Sequence, residues 1–303
     1  MLLSTVLLSL FLLFSHGIVP ATGYAEQKDT PVFGHTDPSE YFEAKGAHKG
    51  AGSLYLMELL GSGTFKSNVL FLHRGVLPPK CGIGEHIHRR MEEVYFVFNA
   101  PAEFTVNGRT ALLPAGTTVA CPMGSSHGIY NNSDVTLEWM NIAVSKVKGE
   151  GDAIDYGDSL STKKIESPAP FSWAQLDRSL LKPSTGSHQG KGTIYFRRLW
   201  QRDSFKTNLA RIGHGILPPG TSIGLHKHNA VEEIYHVLSG KGRITVNDHT
   251  WDVAAGDAVP CPLYDSHGIY NNSNKDLEII IIAIEMKKGI INPENLGDDL
   301  SDR

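Results

Sequence analysis

The sequence predicts an all-β protein built from two tandem sandwich or barrel domains. From Gly52 onward, short runs of Val, Ile, Leu, Tyr and Phe alternate with Gly, Asn, Ser and Pro, and little helical periodicity separates them. The chain also lies on itself when shifted by 140 residues, with about 40 identities in about 95 gapless pairs. KSNVLFLHRGVLPP (66–79) meets KTNLARIGHGILPP (206–219), and CPMGSSHGIYNNS (121–133) meets CPLYDSHGIYNNS (261–273). A repeat of that length is a whole domain, not a solenoid unit.

Composition agrees. The 303 residues suffice for two cores, and 41% hydrophobic with 20% charged residues describes a soluble globular chain. A net charge of −4 and a pI near 6.4 leave no basic stripe for nucleic acid.

In chain order, the apolar run Leu2–Phe14 has the length of a signal-peptide core and falls short of the ~20 residues of a spanning helix. A basic stretch before it is missing, but Gly23 and Ala25 suit a signal peptidase. Residues 1–25 are therefore expected to be removed, leaving an exported protein with no membrane segment; the alternative is a short helix retained as a membrane anchor. Residues 26–165 are expected to form the first domain and 166–303 the second, joined where Ser, Lys and Pro collect in SLSTKKIESPAPFSW. Short helices are expected within DPSEYFEAK, capped by Asp37 or Ser39, and from Trp173 to Leu181, capped by Ser172. Cys121 and Cys261 match in the repeat and read as buried small hydrophobes; Cys81 is unmatched, and a bridge from it to Cys121 stays open.

The chemistry concentrates in GLHKHNAVEEIYHVLSG (224–240) and its first-half counterpart. Side chains at i and i+2 of a strand share a face, so His226 and His228 converge, as do His86 and His88. A glutamate opens the next strand, and a further histidine follows, His127 or His267. Imidazoles plus a carboxylate suit a divalent metal of the Mn, Fe, Ni, Cu or Zn group, and four protein ligands leave positions for water, dioxygen or substrate. Each glutamate belongs to a doublet. Alternation with Tyr95 and Tyr235 favours Glu93 and Glu233 as ligands, with Glu92 and Glu232 facing away, near the barrel mouth. Tyr95 and Tyr235 then face inward, as hydrogen-bond donors behind the ligands or as aromatic filling. Arg89 and Arg90 lie in the turn after the first pair of histidines, where Asn229 and Ala230 stand in the second half. If they face the mouth, the first site favours an anionic substrate; the alternative is a solvated turn.

At these residues the chain resembles the cupin superfamily, in its two-domain form. The family motifs G(x5)HxH(x3–4)E(x6)G and G(x5)PxG(x2)H(x3)N are met in full by the second half for the first motif, Gly220 to Gly240. The first half meets the second motif in full, Gly116 to Asn131. Lys80 and Ala100 replace the two glycines of the first motif in the first half, and Tyr264 replaces the inner glycine of the second motif in the second half. The resemblance implies double-stranded β-helix (jelly-roll) barrels and one divalent metal per domain, manganese first and iron next. It also implies a homo-oligomer, because cupin sheets pair across subunits. Among exported bicupins it points to the oxalate decarboxylase and oxidase group, although Ile83 and Ile223 stand where that group's decarboxylases carry an arginine. It also allows an iron dioxygenase, a sugar or sugar-acid isomerase, epimerase or lyase, and a non-enzymatic storage protein. In the resemblance the motif asparagines Asn131 and Asn271 close a turn, which argues against their sequons carrying glycans.

Overall fold

The computed structural model describes residues 33–303; the expected signal segment lies outside them. Each half closes a seven-stranded antiparallel sheet over a five-stranded one, the jelly-roll arrangement expected. In the first half the five-stranded sheet runs Ile154–Asp158, Gly82–Ile87, Ser126–Tyr130, Ala102–Val106, Arg109–Leu113. The seven-stranded sheet is centred on Met91–Val97, Leu137–Ser145 and Val69–Leu77. The second half repeats this order, with Ser222–His228, Val231–Ser239 and Ser266–Tyr270 carrying its ligands.

The expected helices are corrected. Asp37 does cap a turn, but it is a 3-10 turn, Pro38–Glu40, after which Phe42–Lys45 is a strand. Trp173–Leu181 is no helix either. Ala174–Gln175 adds to the edge of the first half's sheet beside Thr117–Cys121, and Asp177, not Ser172, caps the 3-10 turn Arg178–Leu180. Reciprocally, Gly34–His35 pairs with Asp257–Cys261 of the second half. Each half thus lends an edge strand to the other, and a cut between 165 and 166 does not separate the sheets.

Strand Leu277–Glu285 is buried at every position because it serves two cores. Leu277, Ile279 and Ile281 face their own barrel. Ile280, Ile282 and Ile284 join Val69, Val94, Phe96 and Ile142 of the first half in a cluster shared between the barrels. The same period of two decides the glutamate doublets. Val94 and Phe96 face the shared cluster while Tyr95 and Val97 face the barrel, so Glu93 turns in and Glu92 turns out.

Glu92 and Glu232 are not at a barrel mouth. Both are fully buried between the halves. Glu92 accepts backbone N–H bonds from Thr207 (2.7 Å), Lys206 (3.0 Å) and Met123 (3.3 Å), and another from the Thr207 hydroxyl. Glu232 accepts from Ser67 (2.8 Å), Lys66 (2.9 Å) and Leu263 (3.4 Å). The repeat has produced a pair of reciprocal staples: each carboxylate grips the opposite half's loop.

The three cysteines are free thiols, Cys121 and Cys261 buried and Cys81 partly so. Asn131 and Asn271 are fully buried. Their amides donate to Leu77 and Val135 (both 2.8 Å) and to Leu217 and Lys275 (both 2.7 Å), closing the expected turns. The glycine departures cost little shape at two positions: Lys80 and Tyr264 take the left-handed conformation (φ 62° and 76°) of their partners Gly220 and Gly124 (73° and 89°).

Candidate metal centres

His86, His88, Glu93 and His127 come together in the first half, and His226, His228, Glu233 and His267 in the second, with ligand atoms within 4.8 Å of one another. All eight residues are buried. Strand register brings them there. His127 lies directly across from His86 and His267 from His226, and a shift in each ladder just before or after that pair re-aims the side chains.

Backbone carbonyls set the tautomers. His86 and His226 donate Nδ1–H to Gly84 and Gly224 (both 2.8 Å), and His267 donates to Asp265 (3.2 Å). His88 donates to Asp152, but the Nδ1 of His228 finds no partner. With Nδ1 committed to a carbonyl, Nε2 is the nitrogen these imidazoles turn to the cluster and to any metal held there. The Nε2 atoms of His86, His88, His226 and His228 are buried without hydrogen-bond partners. Orphaned acceptors of this kind are costly unless something else fills them, and four converging N/O donors fit a divalent ion.

Electrostatics support ligation. Burial, followed by the neighbouring His127 or His267, pushes the His86 and His226 imidazoles down to about 2. Bonds from the histidines outweigh burial to hold the Glu93 and Glu233 carboxyls well below the ordinary range. Burial thus keeps the His86 and His226 imidazoles neutral beside an ionised carboxylate, the ligand states a metal requires, whereas at His88 burial is outweighed by the bond to Glu93, which shifts the imidazole upward. Burial and then the adjacent glutamate push the Tyr95 and Tyr235 phenols well above 10. Tyr95 lies 5.6 Å from His127 but also packs on Phe104 and Trp139, the filling arrangement. Tyr235 lies 5.9 Å from His267 and lines a cavity of about 210 Å³.

The two glutamates are held differently. Asn141 donates to Glu93 Oε1 at 3.0 Å, whereas Arg211 Nη2 donates to Glu233 Oε1 at 2.6 Å. Partners that orient a ligand typically contribute ~10–100-fold to metal affinity. Asn141→Ala should therefore weaken metal binding at one centre of two by about that factor; a metal titration in which both affinities match those of the parent chain would refute it.

Arg89 and Arg90 are exposed on the turn beyond His88. Their amides are held by the Asp152 carboxylate, and the Arg90 guanidinium bonds Glu150 at 3.2 Å. Arg90 is a solvated turn residue, and the cation that touches a cluster is Arg211, on strand Leu209–Leu217 of the other half.

A fifth histidine was also missed in each half. His48 stacks on His86 (3.6 Å, 9°) and His188 on His226 (3.7 Å, 9°). Both take left-handed backbone, φ 50° and 52°, and both anchor Nδ1, on Asp155 (2.7 Å) and Asn295 (2.9 Å) respectively. The turn lies so close to the ligand strand that a Cβ at Gly84 would sit 2.1 Å from the His48 carbonyl oxygen, and one at Gly224 2.3 Å from that of His188. Matched strained residues at both centres mark a constraint kept for the site. The repeat held the signal, since His48 and His188 are also 140 apart.

The cupin domain family matches the chain twice, at residues 73–143 and 213–283. An oxalate-binding protein of Thermotoga maritima is 35% identical over 95 residues, 31% of this chain and 78% of that protein. An uncharacterized protein of Methanocaldococcus jannaschii is 33% identical over 84 residues, 28% of this chain and 67% of that protein. Among solved structures, oxalate decarboxylase from Bacillus subtilis aligns with a TM-score of 0.58 at 16% identity, covering 93% of this chain and 80% of that one. Salicylate 1,2-dioxygenase from Pseudoaminobacter salicylatoxidans aligns with a TM-score of 0.58 at 14% identity, covering 79% and 76%. At those identities the two structures speak for the fold.

Proposed function

Because this chain belongs to the cupin family, with a cupin domain in each half, we propose that it is an exported, metal-dependent enzyme acting on a small oxygenated substrate. The chemistry proposed is decarboxylation or oxidative C–C cleavage. The observation that carries this reading is the paired three-histidine, one-glutamate clusters with their unpartnered Nε2 atoms. A bound manganese or iron ion would supply Lewis acidity and a redox couple there. The chain's own part is to orient Glu93 through Asn141 and Glu233 through Arg211, to brace His86 and His226 with the stacked rings of His48 and His188, and to line the second approach with His188 and Tyr235.

The relatives support a carboxylate-bearing substrate: one is an oxalate-binding protein, one an oxalate decarboxylase described with Mn(II) centres, one a dioxygenase of salicylate. Export rests on the N-terminal segment of the sequence alone. Elemental analysis, run with CO₂-release and O₂-uptake assays on a panel of carboxylic, phenolic and sugar acids, tests the proposal. About two manganese or iron ions per chain and gas exchange on at least one acid are expected, in line with the two clusters. A chain that binds no metal, or that isomerises a sugar without either gas, sinks the reading.

A further inference from the structure

The two centres share ligands but not surroundings, and the difference is one of charge. In the second half Arg211 lines the cavity beside Glu233, together with His188, Tyr235 and Ile281. Arg211 uses Nη2 on Glu233, while its Nε is buried without a hydrogen-bond partner. A guanidinium carries five N–H donors in a fixed plane, suited to a carboxylate held by two bonds. Arg198, exposed, stands at the rim of the same cavity.

The repeat supplies an internal control. Position 211 corresponds to Phe71, 198 to Glu58 and 281 to Asn141. Phe71 stacks on His73 (3.9 Å, 5°), and His73 Nε2 lies 3.8 Å from Glu58. Where the second centre offers two cations, the first offers an aromatic ring and a carboxylate. At the positions matched to Arg198 and Arg211 the first half thus carries a carboxylate and no cation, a charge pattern unfavourable to an anion.

Resting on the metal-dependent reading above, we propose that the second centre alone takes an anionic substrate, with Arg211 clamping its carboxylate. The first centre then serves a neutral ligand or the stability of its barrel. Arg211 also supports Glu233, so a test has to separate the two roles. The variant Arg211→Phe/Ile281→Asn does so: it rebuilds in the second half the asparagine that supports Glu93 in the first, and it removes the charge.

The probes are oxalate and its neutral diamide, titrated into Mn(II)-loaded protein by calorimetry and followed by the Mn(II) paramagnetic resonance signal. One oxalate per chain, perturbation of about half the manganese signal, and at least tenfold weaker diamide binding are expected from a single charge clamp. The double variant should keep both ions and lose at least tenfold in oxalate affinity. Two oxalates per chain, or unchanged affinity in the double variant, overturn the proposal. If that variant loses its metal, Phe71→Arg/Asn141→Ile decides: gaining a second oxalate supports the clamp, and staying at one rejects it. Failure to turn over any acid would sink the enzymatic reading and leave this stoichiometry standing.

Discussion

Replacing His226 with alanine is expected to empty the second centre of metal and to abolish turnover of an anionic substrate, while the first centre keeps its ion. The His226 Nε2 is buried, unpartnered and directed into the cluster, and Nδ1–H is already committed to the Gly224 carbonyl. Loss of an outer partner costs ~10–100-fold in metal affinity, and loss of one of four direct ligands should exceed that. Glu233 would then face His228 and His267 with its charge balanced chiefly by Arg211. The matched variant His86→Ala should remove the other ion and leave anion turnover in place. Metal content per chain, measured beside activity, checks both arms: each single variant should fall from two ions to one, but only His226→Ala should fall silent. Equal loss of activity in the two variants would show that the centres work together, against the division of roles inferred above.

The contrast between what could and could not be read in advance has physical causes. The eight ligands were legible because strand geometry has a period of two and the spacing recurs in both halves, so residues distant in fold are close in pattern. The choice of Glu93 over Glu92 followed from the same alternation, and the two cores on either side of Met91–Val97 enforce it. The missed residues lie where that period breaks. Leu209 and Ile212 both face the shared core, because the ladder shifts between Leu209 and Arg211. Strict alternation would put Arg211 on the face of Leu209, away from the metal; the bulge turns it inward. His48 and His188 reach the ligands from a left-handed turn, a conformation that no periodicity announces. The expected helix at Trp173–Leu181 failed for another reason. Its intrinsic preference was overridden by an edge of sheet belonging to the other half.

Glu92→Ala is expected to destabilise the chain by about 3–5 kcal/mol, the scale of several buried donors left unpaired at once. The carboxylate is fully buried and receives three backbone N–H groups and one hydroxyl, most of them from the opposite half. Truncation leaves those donors without acceptor or water, at ~1–3 kcal/mol each if unrelieved, and opens a cavity in the shared core. At ~2–4 °C per kcal/mol for a chain approaching this size, the melting temperature should drop by about 10 °C. Glu232→Ala should act alike, since Lys66, Ser67 and Leu263 depend on it in the same way. Because Glu92 and Glu93 point to opposite faces of one strand, the Mn(II) signal of Glu92→Ala below its transition should match that of the parent chain. That pairing of readouts separates a staple from a ligand. A variant that melts with the parent, or one that melts early and also loses an ion, would refute the assignment of Glu92 to the interface between the barrels.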